Sequence, residues 1–370
     1  MEITKRFNLG NIFIFLFLIL FPFGQIIKIG IINPIDIVVG CGAIYALIRG
    51  LKKPTVFIYF QDFLLISFFT FLVSIYFFWS TNLMYGLFYL IRLFLYFYFS
   101  VYVFNYVSKN KQNSKTLLSS LILISIASAI FGWIQYFKFP DIKPFFVFGW
   151  DEHLYRIVGT FLDPVFLSFI LIIGIIISPK FIVQLFLVAT LAFTYSRAGY
   201  LAFVSTLFAK YIFTKRKGEI FILALIFGLS VIFLPRPAGE SVKLERTSSI
   251  FARLDNYKET VNIFKTSPVF GVGFNNLCLA RQKYISYEPF ESHSCSGSDS
   301  SILFILATTG VVGLISFIRL SYKLWGDSGT LFKIALISLF IHSLFGNSVF
   351  YPWIMSAMII LRFSEDKLRE

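Results

Sequence analysis

The chain of 370 residues is 57% hydrophobic, 20% aromatic and only 14% charged, with a strongly positive mean hydropathy. A soluble core has no use for that much apolar surface, which excludes an ordinary soluble globular protein. The formal charge of +14 does not point to nucleic acid, because Lys and Arg cluster in short segments between apolar runs, as the positive-inside bias of membrane proteins predicts.

The composition and pattern specify an all-α polytopic membrane protein. The N-terminal "MEITKRFNLGNIFIFLFLIL" begins like a signal peptide, but the following "FPFGQIIKIG" offers no small-x-small cleavage site, so a retained first helix is expected. Apolar runs of about 20 residues match a hydrocarbon slab of roughly 30 Å. They predict twelve transmembrane helices, at 9–24, 34–50, 61–79, 84–107, 117–137, 157–177, 181–195, 198–213, 219–234, 300–319, 330–346 and 349–363. Alternation through these spans puts Lys5 and Arg6, Arg49, Lys52 and Lys53, Lys109, Lys111 and Lys115, and Lys180 on one side. Lys215, Arg216 and Lys217, Arg319 and Lys323, and Lys367 and Arg369 fall on that same side. The expectation is a multi-pass protein of the cytoplasmic membrane with both termini inside.

The opposite face then carries two long loops, 138–156 and 235–299. The chain divides into helices one to nine (1–234), an extracytoplasmic loop (235–299), and helices ten to twelve with a cytoplasmic tail (300–370). Within the longer loop, Ile250, Leu254, Tyr257, Val261 and Phe264 recur at three- and four-residue spacing. That stripe predicts an amphipathic helix that packs on the bundle as a lid. Ser267 and Pro268 stop it, Gly271 and Gly273 permit a tight reversal, and a second short helix is expected at about 275–286.

Ionisable groups at the outer membrane face are costly and therefore informative. Arg197, in "TYSRAGYLAF", stands between two apolar runs and either snorkels to headgroups or contacts an anion. Arg156, just before the sixth span, is either an interfacial anchor or an anion contact. Arg253, a turn before Tyr257, is either a solvated residue or a third such contact. Three guanidiniums at one face suit a diphosphate, because each makes bidentate, permanently charged contacts with phosphate oxygens. His293 and Asp299, in "ESHSCSGSDSSILF", are alternatives for a general base. Asp299 could instead cap the tenth helix. "DEH" at 151–153 reads poorly as a metal site, since three adjacent residues do not easily converge on one ion. No metal or cofactor is expected. Cys278 and Cys295 share the long loop, where a bridge would tie the second loop helix to the His293 region. Free thiols are the expected outcome, and Cys41 is expected to pack inside the second helix.

Five segments, in order along the chain, resemble the bacterial O-antigen ligase and polysaccharide polymerase superfamily. They are "NPIDIVVG" (33–40), "RIVGTFLDPVFLSFIL" (156–171), "TYSRAGYLAF" (194–203), "RLDNYKETVNIFKTSPVFGVGFNN" (253–276) and "SDSSILFILATTGVVGLISF" (298–317). The resemblance implies a GT-C-type architecture and a metal-independent glycosyltransferase with its active site at the outer face. Its donor would be a glycan on undecaprenyl diphosphate and its acceptor a lipid, glycan or protein hydroxyl. Arg197 and Arg253 correspond to the family's two arginines and His293 to its loop histidine. The family's His-Asn commonly stands eleven residues before the position of Gly310, which is Asp299 here, so the base stays divided between His293 and Asp299. The competing reading of another class is a polysaccharide transporter or flippase. Against it, the sequence has no evident internal repeat and no paired broken helices, and its polar residues gather at one face.

Overall fold

The computed structural model describes residues 9–27, 32–78, 83–148, 152–235, 237, 242–286 and 297–369. Its helices are α1 (Leu9–Leu20), α2 (Pro34–Ile48), α3 (Phe57–Phe77), α4 (Met84–Ser108), α5 (Lys111–Lys138), α6 (Pro164–Ile177), α7 (Phe181–Ala192), α8 (Arg197–Phe213), α9 (Lys217–Ile232), α10 (Ser248–Thr266), α11 (Leu277–Tyr284), α12 (Ser301–Gly326), α13 (Thr330–Ser343) and α14 (Pro352–Arg369). A helix stands at each expected span, and α10 and α11 occupy the long loop. Among the described residues, four helical stretches are long and apolar enough to cross a membrane: Phe57–Tyr76, Met84–Ser108, Lys111–Lys138 and Ser301–Gly326. Asn11–Phe23, Pro34–Ile48, Pro164–Ile177, Phe181–Ala192 and Thr330–Ser343 are apolar but shorter. Leu65 and Leu123 are exposed on two of these helices, and Phe208 and Phe221 on α8 and α9, an arrangement that lipid tolerates and water does not. This is a membrane protein.

The bundle is held by close helix pairs: α2 on α4, α8 on α13, α3 on α12, and α5 on both α6 and α14. Polar side chains fix the register where apolar contact alone would slide. The Asp36 carboxylate accepts from the Arg92 guanidinium at 2.8 Å and from the Tyr96 hydroxyl at 3.0 Å, joining α2 to α4. Thr206 and Ser338 share a 2.5 Å hydrogen bond between α8 and α13. Glu365 of α14 accepts from the backbone N–H groups of Leu331 and Phe332, both at 2.8 Å, and so satisfies the first turn of α13.

Two departures from expectation have local causes. The span expected at 157–177 begins as a helix only at Pro164. Asp163 accepts from the Val165 and Phe166 N–H groups at 2.5 and 3.4 Å, with Pro164 at the first helical position. Before it, Gly159–Phe161 form a 3-10 turn and Leu162 is left-handed with φ 60°. The apolar segment 157–163 is therefore buried loop. Similarly, Ser300 rather than Asp299 caps α12, its hydroxyl accepting from Leu303 N–H.

The largest departure is that α12 is broken at Gly310, where φ is 66°. The segment after α10 enters the break. Val272 and Gly273 donate to the Ala307 and Thr308 carbonyls at 2.9 Å, and Val311 and Val312 donate to the Pro268 and Val269 carbonyls at 3.0 and 3.3 Å. Backbone groups freed by the break are thus paired with the entering loop, the condition for irregular backbone inside a bundle. A Cβ at Gly310 would stand 2.1 Å from the Val269 carbonyl oxygen, and one at Gly271 2.4 Å from the Thr308 carbonyl carbon. The glycines thus serve close backbone approach as well as a reversal.

The cysteines also differ from expectation. Cys278 in α11 is disulfide-bonded, Cys41 is a free, exposed thiol on α2, and Cys295 lies outside the described residues.

Candidate active site

The site is assembled at the end of the bundle that carries α10. The lid helix does not use the whole expected stripe: Ile250, Phe251 and Leu254 are 45%, 61% and 44% exposed, whereas Thr260 and Ile263 are buried. Its anchors are polar. The Tyr257 hydroxyl donates to the Leu344 carbonyl at 2.5 Å and lies 3.5 Å from that of Asp299. Thr260 donates to Ser298 at 3.2 Å, and the Asn256 side-chain oxygen accepts from Ser298 and from the Asp299 N–H at 3.3 and 3.0 Å. One face of α10 thereby grips the start of α12 and the end of α13. Periodicity could not show this, because hydroxyls and an amide make the grip. Burial raises the Tyr257 phenol, with Arg253 opposing and Asp299 reinforcing, so it remains a neutral donor. Changing Tyr257 to Phe should loosen the lid by about 0.5–1.5 kcal/mol, the net worth of such a bond. Hydrogen exchange along 253–264 should quicken, with the bundle helices unchanged.

A buried histidine supports the same grip. His342, fully buried at the end of α13, has Nε2 3.0 Å from the Val165 carbonyl and Nδ1 2.6 Å from the Ser348 hydroxyl. The carbonyl can only accept, so Nε2 carries the proton and Nδ1 accepts from Ser348. Ser301 bonds into the same turn, donating to Gly346 O and accepting from Val349 N–H, both at 3.2 Å. The turn after α13 thus fixes the lid through Leu344 and the start of α12 through Ser301.

Arg156, Arg197 and Arg253 are brought together, but in different roles. Arg156 is 5% exposed and donates to the Thr194 carbonyl at 2.9 Å and the Tyr195 carbonyl at 3.2 Å. It is a buried clamp on the hairpin before α8, not an interfacial anchor. Burial first, then Arg246, lower its pKa to about 9, with Asp163 opposing. Tyr195 is left-handed with φ 49° and sends its hydroxyl to the Pro235 carbonyl at 2.5 Å. This held kink aims the next residues, Ser196 and Arg197, with Ser196 capping α8 through Gly199 N–H at 3.1 Å. Arg197 donates to the Arg246 carbonyl at 2.9 Å and to the Ser249 hydroxyl. Ser249 also accepts from Arg246 Nε at 3.3 Å. Arg253, half-buried on α10, acts electrostatically on both Arg156 and Arg197.

The cluster therefore holds a fourth arginine, Arg246, that sequence reasoning missed. It stands in an irregular stretch with no periodicity, and only its position a few residues before Arg253 marks it. Asp299 is half-buried beside Tyr257, its backbone fixed by Asn256. His293 lies outside the described residues. Of the 151–153 triplet, Asp151 lies outside the described residues, Glu152 turns to Lys143 at 3.5 Å, and His153 feels the charges of Arg156 and Arg246.

Arg246 and Arg253 repel Arg156, and Arg253 repels Arg197, with Asp163 opposing at Arg156; an arriving anion would relieve that repulsion. An apolar cavity of about 500 Å³ runs between α3, α4, α12, α13 and α14. Its upper end is lined by Ile302, Ser343 and Val349, beside the carbonyl that holds the lid, and its lower end by Trp325 and Arg362.

Among known proteins, residues 182–318 match the family model described as O-antigen ligase. A search of curated proteins finds no match. The matched stretch runs from α7 into α12 and includes Arg197, Arg246, Arg253 and Asp299, but neither Arg156 nor His342. The hairpin before α8, helix α10 and the break in α12 all lie inside that match, so it is this 182–318 segment that is similar to the O-antigen ligase family.

Proposed function

We propose that the protein moves a glycan from undecaprenyl diphosphate to an acceptor hydroxyl at the outer face of the cytoplasmic membrane. In this reading the helices at the twelve spans cross the membrane with both termini inside, and the loop carrying α10 lies outside. The observation that carries it is the convergence of Arg197, Arg246 and Arg253, with Arg156 behind them, above a long apolar cavity. A diphosphate satisfies the cations and an isoprenoid chain suits the cavity.

In the reaction, the acceptor oxygen attacks the anomeric carbon from the face opposite the diphosphate. The new C–O bond forms as the bond to the phosphate oxygen breaks, with inversion. Charge developing on the leaving diphosphate is held by Arg197 and Arg253 as fixed donors. The proton of the acceptor hydroxyl passes to a base. Asp299 suits that role, because the contacts that seat Arg253 also seat its backbone; His293 is the alternative. The α10 lid closes over the donor and keeps water from competing. The acceptor is a lipid core sugar, a growing glycan or a protein hydroxyl.

Deleting the gene and analysing envelope glycans tests the reading. The expected result is accumulation of a diphosphate-linked glycan and loss of one surface polymer or conjugate, both reversed by the wild-type gene but not by Arg197→Ala. An unchanged set of lipid-linked glycans would overturn it, and accumulation confined to the cytoplasmic leaflet would favour a flippase.

A further inference from the structure

His153 is unused by the reaction above, yet it lies at the edge of the arginine cluster. Its segment is fixed by backbone pairing. Ile142 N–H donates to the His153 carbonyl at 3.2 Å, Tyr155 N–H donates to the Pro140 carbonyl at 2.8 Å, and Asp141 bridges Leu154. The ring is therefore held in place rather than carried on a loose loop. Its Nε2 is buried and has no hydrogen-bond partner among the described residues. Burying a polar atom without a partner is costly, and such atoms in a site are commonly satisfied by what binds there.

The surroundings say what kind of group that is. Burial first, then the charges of Arg156 and Arg246, lower the His153 pKa to about 3, so the ring is neutral at neutral pH. A neutral ring can present an N–H at Nε2. The adjacent carboxylate, Glu152, is turned to Lys143. Arg246 is oriented by Ser249, whose hydroxyl also accepts from Arg197. A buried N–H donor beside two guanidiniums suits an oxygen bearing negative charge, and would be wasted on a neutral hydroxyl.

We infer that His153 and Arg246 form a subsite of the arginine cluster that contacts one phosphate of a diphosphate, with His153 Nε2–H donating to a phosphate oxygen. The subsite rests on the diphosphate-donor reading above. It places one phosphate towards the 152–156 segment and leaves the other to Arg197 and Arg253. The orientation of the donor is thereby set by a residue on the shorter loop, not by the lid alone.

Binding of inorganic pyrophosphate and of farnesyl diphosphate to the full chain in detergent, followed by calorimetry, tests this. His153→Phe keeps an aromatic ring without a donor and should weaken binding of both probes about tenfold, the scale of a charge-assisted hydrogen bond. His153→Gln, which retains a donor, should stay within about threefold of wild type. Should His153→Phe not fold, nitrogen NMR of histidine-labelled wild-type protein decides. One Nε2 signal, absent from His153→Gln, should shift on addition of pyrophosphate, and no shift overturns the subsite. Unchanged binding by His153→Phe, while Arg253→Ala loses it, would overturn the subsite and leave the donor reading intact. No binding of either probe by the wild-type protein would overturn both.

Discussion

Replacing Arg253 with alanine should lower glycan transfer by about two to three orders of magnitude, the usual effect of removing one fixed donor from developing negative charge. The amount of folded protein should stay near wild type, because Arg253 is half-buried and the lid is seated by Tyr257, Asn256 and Thr260 instead. Arg253→Lys should recover only part of the loss, since an ammonium cannot reproduce a planar two-point contact. Arg156 supplies the contrast. Its alanine variant should fail by folding, because the Thr194 and Tyr195 carbonyls lose their donors and about 1–3 kcal/mol is lost for each buried group left unpaired. Transfer measured per folded molecule, beside the quantity of protein in the membrane, separates the two outcomes. Normal transfer by Arg253→Ala would remove this arginine from the chemistry.

Gly310→Ala should be the most damaging small substitution in the membrane helices. At φ 66° an alanine is strained by about 1–3 kcal/mol from the backbone alone. The added methyl also meets the Val269 carbonyl oxygen at 2.1 Å, a backbone atom that no rotamer change can move. Relief requires expelling the 268–273 segment from the break in α12, which breaks the bonds from Val272 and Gly273 and slackens the hold on the C-terminal end of the lid. The expected result is a lower melting temperature in detergent and rapid proteolytic nicking between residues 267 and 286, with loss of transfer. Gly326→Ala, on the same helix where an added Cβ meets nothing within 4 Å, should behave like wild type. Equal behaviour of the two variants would show that the break is not needed.

Position within the sequence read well wherever hydropathy alone decides. A helix stands at each expected span, and α10 and α11 appear where the amphipathic stretch and the Ser267–Pro268 stop predict them. It read poorly wherever a contact from elsewhere decides. Residues 157–163 are as apolar as a helix yet form buried loop, because Asp163 and Pro164 start the helix later and Gln135 satisfies the backbone, donating to the Arg156 carbonyl at 3.1 Å and accepting from Val158 N–H. Ile250 and Leu254 looked like core and are exposed, because α10 docks through Tyr257, Asn256 and Thr260. Arg246 carried little local signal and acquires its place from Ser249 and Arg197 in a stretch without periodicity, and His342 acquires its place from Val165, 177 residues away.

The sequence by itself determined that the chain is a helical membrane protein, that one long loop is folded rather than linker, and that arginines at 156, 197 and 253 belong to the question of function. Such properties follow from hydrophobic runs and from the cost of charge near lipid, both of which are local. It took the tertiary structure to show that Arg156 clamps a hairpin while Arg197 turns to Arg246 and Ser249. It alone showed that Arg246 joins them, and that the glycines after the lid let one backbone enter the break in another. Those outcomes depend on which distant carbonyl or hydroxyl meets each donor, and hydrogen-bond partners separated by 38 to 52 residues leave no trace in the pattern of either segment.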